Sequence, residues 1–221
     1  MLVQIYGITV PEDARAVNAL GPDLVGVVPD EGHGTWDSVD PDTMRAVVAQ
    51  LTDVGVVCLS LGTDPGAIRA ATSAVPAHVV HLARAHLMDD AALEEVRAGA
   101  GGTELMLTVP VDGPGAGAVA QRLARHADYL LLDTSHPQTG VVGATGLVHD
   151  WELSARIAAS VPLPVILAGG LGPHNVAEAI GVVRPAGVDS ETRTSRPDDR
   201  RRKDPEAVAR FIELARTAAP G

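Results

Sequence analysis

Asp133 follows an unbroken apolar run, Tyr129-Leu130-Leu131-Leu132, so a buried strand would deliver one carboxylate straight to its own end. A carboxyl held where water is scarce keeps its proton to higher pH, which suits it to proton transfer near neutrality. The same side chain also fits a plainer task, capping the next loop by accepting from the Thr134 or Ser135 amide. A second signal is the turn Ala168-Gly169-Gly170-Leu171-Gly172-Pro173. Paired glycines let backbone amides close on an anion, and a helix starting at Pro173 would add its positive end. Tight connections need glycines anyway, so the motif alone is a modest signal. His81 lies near a strand end, where it would either carry a proton or rest as a satisfied strand histidine, and Tyr6 follows the first strand. Asp30 follows the second strand, and Trp36 lies in the loop beyond, where it would stack on a flat ligand or cover a rim. None of the eight histidines pairs with another at helical spacing backed by a carboxylate, so no metal site is expected.

Such groups need elements that bring them to one place. Short runs rich in β-branched residues alternate eight times with Ala-rich amphipathic stretches. Strands are expected over 2–5, 24–28, 55–60, 78–82, 104–109, 129–132, 164–168 and 187–189. Helices are expected over 12–20, 41–51, 65–74, 89–98, 115–125, 150–159, 173–183 and 205–218. Asp40-Pro41, Asp64-Pro65 and Asp204-Pro205 each put a capping carboxylate before a proline, which loses no bonded N–H in a first helical turn. Thr9 and Glu12 have capping-box spacing. Strand then helix, repeated eight times in 221 residues, implies parallel strands that close into a single (β/α)8 TIM barrel domain over 1–221. An open doubly wound sheet is the alternative, weakened because no GxGxxG follows the first strand. In a barrel the chemistry sits at the C-terminal strand ends, where Tyr6, Asp30, His81, Asp133, Gly169, Gly170 and the stretch from Asp189 to Arg193 all fall. The run Arg196–Lys203, with mixed charge and a proline, reads as a mobile, solvated loop.

Composition narrows the partners. A net charge of -11 and only two Trp, two Tyr and one Phe argue against nucleic acid, which needs basic surface and stacking rings. A local pocket can still hold a small anion against that field. No apolar run is long enough to span a bilayer, the opening lacks a basic leader, and one cysteine excludes an internal disulfide; a cytoplasmic chain is expected.

The order of motifs resembles phosphoribosylanthranilate isomerase, the tryptophan-pathway barrel, over nearly the whole chain. The opening Val3-Gln4-Ile5-Tyr6-Gly7-Ile8-Thr9, then Leu131-Leu132-Asp133, Gly143-Ala144-Thr145-Gly146 and Asp150-Trp151, carry the likeness. So do Leu167-Ala168-Gly169-Gly170-Leu171, Gly187-Val188-Asp189 and Lys203-Asp204. That family performs an Amadori rearrangement: a base removes the proton at sugar C2′, an acid protonates the ring oxygen, and an aminoaldose becomes an aminoketose. The resemblance implies Asp133 as the acid, with phosphate loops at Gly169-Gly170 and after Asp189. Three positions depart from the family pattern. Its cysteine base falls at Tyr6, its Ser-Pro-Arg reads Gly34-Thr35-Trp36, and its Ser-Ser-Gly phosphate turn reads Glu191-Thr192-Arg193. Thr192 and Arg193 are then the expected replacement donors, whereas Glu191 would repel phosphate.

The expected function is an acid–base isomerase acting on a small phosphorylated sugar derivative of altered substrate, monomeric or homodimeric, with no cofactor and no metal. Asp133 is one proton carrier and Tyr6 or His81 the other; Gly169, Gly170, Thr192, Arg193, Trp36 and Asp30 line the binding site. Two alternatives stand beside it. One is a non-catalytic phosphosugar-binding barrel; the other is an aldolase or lyase, whose Schiff base would have to use Lys203, the only lysine.

Overall fold

The protein is described by a computed structural model that covers residues 1–134 and 150–219. The motif at 143–146, Ser135 and two of the histidines, at 136 and 149, lie outside the described residues.

Eight parallel strands form the ring: β1 (Leu2–Ile5), β2 (Leu24–Pro29), β3 (Gly55–Ser60), β4 (Val79–Leu82), β5 (Glu104–Pro110), β6 (Tyr129–Asp133), β7 (Val165–Leu167) and β8 (Gly187–Ser190). Each pairs with the next, and β1 closes the ring by pairing with both β2 and β8, through Gln4 with Leu24 and Val3 with Val188. A two-residue strand, Ser38–Val39, adds to β2 at the rim. The open doubly wound alternative is excluded by that closure.

Helices return the chain after each strand: α1 (Pro11–Leu20), α2 (Pro41–Val48), α3 (Pro65–Thr72), α4 (Asp90–Gly99), α5 (Ala116–Leu123), α6 (Trp151–Ser160), α7 (Val176–Val183) and α8 (Pro205–Ala218). Asp40, Asp64 and Asp204 cap α2, α3 and α8 by accepting first-turn amides, as their Asp-Pro pairs foretell. Two helix starts differ from expectation. Thr9 does not cap α1, because its hydroxyl donates instead to the Arg201 carbonyl, and Val10 stands at the cap without a side-chain bond. Helix α7 begins at Val176 rather than Pro173, because Asn175 folds back to accept from Gly172 N at 2.9 Å and to donate to Gly170 O at 3.2 Å.

Alternation along the strands splits the apolar residues into two cores. Val3, Ile5, Val25, Val27, Leu105 and Val188 face outward against the helices and bury with Phe211 and Ile212 of α8. Leu24, Val28, Val57, Val79, Met106, Leu131 and Ile166 face inward and fill the barrel with Tyr6. The interior is a packed core that supports the mouth from beneath.

The segment before α8 is fastened, not free. Arg196 N donates to Arg202 O at 2.8 Å, Arg202 makes two 3.0 Å bonds to Asp13, and Lys203 N donates to Asp13 Oδ2 at 2.8 Å. The side chains of 196–201 are exposed, but Lys203 is only 1% exposed. The expected mobile loop is thus a strap pulled in by a carboxylate of α1, which sequence neighbours could not reveal.

Candidate active site

At the C-terminal ends of β6, β7 and β8 a small pocket is lined by Asp133, Gly169, Gly170, Leu171, Asp189, Ser190, Glu191 and Thr192. Two loops make its wall. After β7, Gly169 and Gly170 take φ of 82° and 65°, a left-handed pair that turns the chain sharply. After β8 the chain forms a short 3-10 turn, Thr192–Thr194, and Ser190 Oγ donates to Leu171 O at 2.7 Å, tying the two loops together. Of the sequence-selected residues, Asp133, Gly169, Gly170 and Thr192 therefore come together here.

Asp133 ends β6 with its Oδ1 accepting from Thr134 N at 2.6 Å, so it caps the following loop and lines the pocket at once. Burial pushes its carboxyl up to about 7, and the Thr134 bond offsets part of that rise. Asp189, at the end of β8, is pushed up to about 7 by burial too, with the Asp133 charge adding to the rise. A bond from the buried Gln4 Nε2 at 3.1 Å and the charge of Lys203 act the other way. Asp189 thus has more to stabilise its ionised form than Asp133 has. Both carboxyls are poised near neutrality.

Their shifted titration also has a thermodynamic signature. Both carboxyls keep their protons to about 7 in the fold but release them near 4 in the unfolded chain. Between those values the folded form binds more protons, so stability falls as pH rises from about 4 to 7 and is level above. The urea midpoint of the native protein is expected to drop from pH 5 to pH 8, and the Asp133→Asn/Asp189→Asn double variant to flatten that drop. An unchanged slope in the double variant would remove the burial assigned to the pair.

Tyr6 and His81 are placed differently from what their positions suggest. The Tyr6 hydroxyl meets His81 Nδ1 at 2.8 Å, and His81 Nε2 meets Thr108 Oγ1 at 2.6 Å, all three being buried. Neither ring is among the pocket-lining residues. Burial lowers the imidazole to about 3, so it stays neutral, and burial followed by the Asp189 charge raises the phenol well above 10. The chain Tyr6–His81–Thr108 is a satisfied internal network, and a phenol so held is no base at neutral pH. Room for the ring comes from Gly26 on β2, where any Cβ would lie 2.3 Å from two Tyr6 ring carbons.

The remaining residues sit around the rim. Asp30 is exposed and its Oδ1 accepts from Gly32 N at 2.9 Å, so it shapes its own loop and does not line the pocket. Trp36 is half-buried; Arg200 stacks 4.9 Å above its ring, and Arg201 donates to its carbonyl. Arg193 is exposed and packs its stem where a Cβ on Gly172 would fall, outside the pocket lining. Lys203 Nζ donates to Glu191 O at 2.9 Å and Ser195 Oγ at 3.0 Å, and burial lowers its amine to about 8. An amine so enclosed and so engaged is ill placed for a substrate carbonyl. Sequence reasoning placed Asp189 at a strand end without giving it a role of its own, and passed over Asp37. Asp189 was findable, since it ends an apolar strand in the same manner as Asp133; Asp37 was not, because only folding brings its loop against Glu191.

Comparison with known proteins decides the family. A model of N-(5′-phosphoribosyl)anthranilate isomerase matches residues 111–193. The N-(5′-phosphoribosyl)anthranilate isomerase of Methanocella arvoryzae is 35% identical over 215 residues, 97% of each chain. The chain belongs to the phosphoribosylanthranilate isomerase family. The solved phosphoribosyl anthranilate isomerase of Thermotoga maritima superposes with a TM-score of 0.80 at 28% identity, over 98% of this chain and 99% of that one. Another family structure, a complex with reduced 1-(o-carboxyphenylamino)-1-deoxyribulose 5-phosphate, gives 0.78 at 27% identity over 98% and 100%. Within the family's frame, the pocket walled by Gly169-Gly170 and Ser190–Thr192 falls where the sequence resemblance puts the phosphate loops.

Proposed function

We propose that the chain is an aldose–ketose isomerase that carries out an Amadori rearrangement on a phosphorylated N-substituted ribosylamine, with N-(5′-phosphoribosyl)anthranilate the first substrate to test. The observation that carries this reading is the presence of two carboxyls, Asp133 and Asp189, both held near 7, in one pocket with the paired-glycine turn. An isomerisation needs one group that gives a proton and one that takes it, at the same pH. Two carboxyls pushed close to neutrality supply both forms at once.

Their surroundings assign the roles. Among the described residues the Thr134 amide is what favours the charge of Asp133, which keeps its proton; Asp189, bonded to Gln4 and near Lys203, is the ionised partner. Asp133 gives its proton to the ring oxygen and the ring opens to an iminium, the protonated Schiff base. Asp189 then takes the C2′ proton, leaving an enolamine that relaxes to the aminoketose. One proton is delivered and one removed, so the product is an isomer. The phosphate end rests against the Ser190–Thr192 segment and the Gly169-Gly170 turn, whose paired glycines let an anion approach the backbone closely.

At the other end the aglycone meets Trp36 and Arg200, a flat face beneath a cation. Trp36 stands where the resemblance puts the arginine of the family's Ser-Pro-Arg, and the stacked pair suits an aromatic acid. The test is turnover of N-(5′-phosphoribosyl)anthranilate by the full chain, with Arg200→Ala beside it. Robust turnover is expected, with KM raised about tenfold in the variant and kcat kept, as for a lost ground-state contact. Absence of turnover would remove anthranilate as the aglycone and, with it, the role given to Arg200.

A further inference from the structure

Lys203 is the only lysine in the chain and, among the described residues, the only buried lysine or arginine. Burying an ammonium is costly unless its protons are engaged. Here they are engaged by neutral oxygens of a single loop, Glu191 O at 2.9 Å and Ser195 Oγ at 3.0 Å. The residue is fixed at its backbone end too. Lys203 N donates to Asp13 Oδ2 at 2.8 Å, Asp204 N donates to Thr194 O at 3.0 Å, and Lys203 pairs with Ser195 as an antiparallel bridge. One side chain thus spans from a strap anchored on α1 to the loop that follows β8.

That loop begins in the pocket wall, where Glu191 and Thr192 stand. Its Glu191 carbonyl is a point of convergence. Besides Lys203 Nζ it accepts from Thr194 N at 3.2 Å, Thr194 Oγ1 at 3.0 Å and Ser195 Oγ at 3.1 Å. The donors at 194 and 195 belong to the loop and turn with it, whereas Lys203 ties the carbonyl to the strap and, through Asp13, to α1. In a trans peptide the C=O and N–H point opposite ways, so the bond that fixes the Glu191 carbonyl also fixes the Thr192 N–H. Lys203 itself is not among the pocket-lining residues, so it stands behind the loop.

We propose that Lys203 is a positioning residue for the anionic end of the substrate. By holding the Glu191 carbonyl on the strap side of the loop, it keeps the Thr192 N–H turned to the pocket side, ready to donate to an anion oxygen. The lysine touches no substrate; it sets the direction of a group that does. A loop fixed in advance need not be ordered on binding, so the gain appears as affinity. This inference rests on the reading above that a phosphate end occupies the cradle.

Sulfate is the probe of choice, because its charge does not change near neutrality. Its binding to the full chain is measured by calorimetry at pH 7 and fixed ionic strength, for the native protein, Ser195→Ala, Lys203→Met and the double variant. Ser195→Ala removes one of the two acceptors of the lysine and alters no charge. Affinity is expected to fall about threefold in Ser195→Ala and about tenfold in Lys203→Met. The double variant should bind no more weakly than Lys203→Met, because the serine acts through the lysine. In Ser195→Ala the KM for N-(5′-phosphoribosyl)anthranilate should rise with the sulfate Kd while kcat is kept. A lower Tm with unchanged sulfate affinity in Ser195→Ala would make the contact a support of the fold alone and overturn the inference, also where Lys203→Met fails to fold. Losses that multiply in the double variant would overturn it as well, since a charge acting through space behaves so. Both of these outcomes leave the phosphate reading standing; no sulfate binding to the native protein would overturn that reading too.

Discussion

Replacing Asp133 by asparagine is expected to lower kcat for N-(5′-phosphoribosyl)anthranilate by roughly 10²–10⁴-fold, with KM changed only a few-fold, and Asp189→Asn to do the same. Asparagine keeps an acceptor for Thr134 N in the first case and for Gln4 Nε2 in the second, so the loops that these side chains hold stay in place. What is lost is the proton. The pH profiles then separate the two roles. The native enzyme should show a bell near neutrality, since Asp189 must be ionised while Asp133 is protonated. Residual activity of Asp189→Asn should lack the acidic limb, and that of Asp133→Asn the basic one. Losing both together should cost little more than losing either, because one without the other completes no turnover. Profiles that keep both limbs in either variant would remove that residue from proton transfer.

The second large effect is expected from a residue that touches no substrate. Gly26→Ala would place a Cβ 2.3 Å from two carbons of the Tyr6 ring, and that ring has nowhere to go. Its hydroxyl is tied to His81 and its face packs in the barrel interior beside Val28 and Val57. Overpacking of this kind costs about 1–3 kcal/mol, and the rigidity of the pinned ring places this case at the upper end. For a chain of this size that is a fall in Tm of roughly 6–12 °C. The clash is specific to one pair, so the same substitution in a Tyr6→Ala background should carry almost none of the penalty. A double-mutant cycle in urea measures it; purely additive effects would mean that Gly26 and Tyr6 are not in contact.

The barrel was legible in the sequence because its signals are local. Each strand is a short apolar run, and the Asp-Pro pairs at 40–41, 64–65 and 204–205 mark helix starts through bonds made within four residues. The pocket was legible in part for the same reason: Asp133 and Gly169-Gly170 end strands and are delivered together by ring closure. What escaped depends on contacts far apart in the chain. Lys203 sits among arginines and aspartates and reads as solvated, yet Asp13, 190 residues away, draws its backbone inward. Tyr6 occupies the position of the family's base, but Gly26 and His81 turn it into core. The helix expected from Pro173 starts three residues later because an asparagine folds back on the glycine turn, a choice that residue types alone leave open.

On the proposed mechanism the mouth has a reactive half at β6 to β8 and a structural half at β1, β4 and β5. The division predicts which hydroxyl and which carboxyl matter. The most direct measurement is kcat of Tyr6→Phe beside Asp189→Asn, in the same buffer and below the melting temperature of both. The phenylalanine variant should stay within roughly tenfold of the native enzyme, while the asparagine variant falls by at least about a hundredfold. A collapse of Tyr6→Phe together with an active Asp189→Asn would contradict the account and return the missing proton carrier to the phenol.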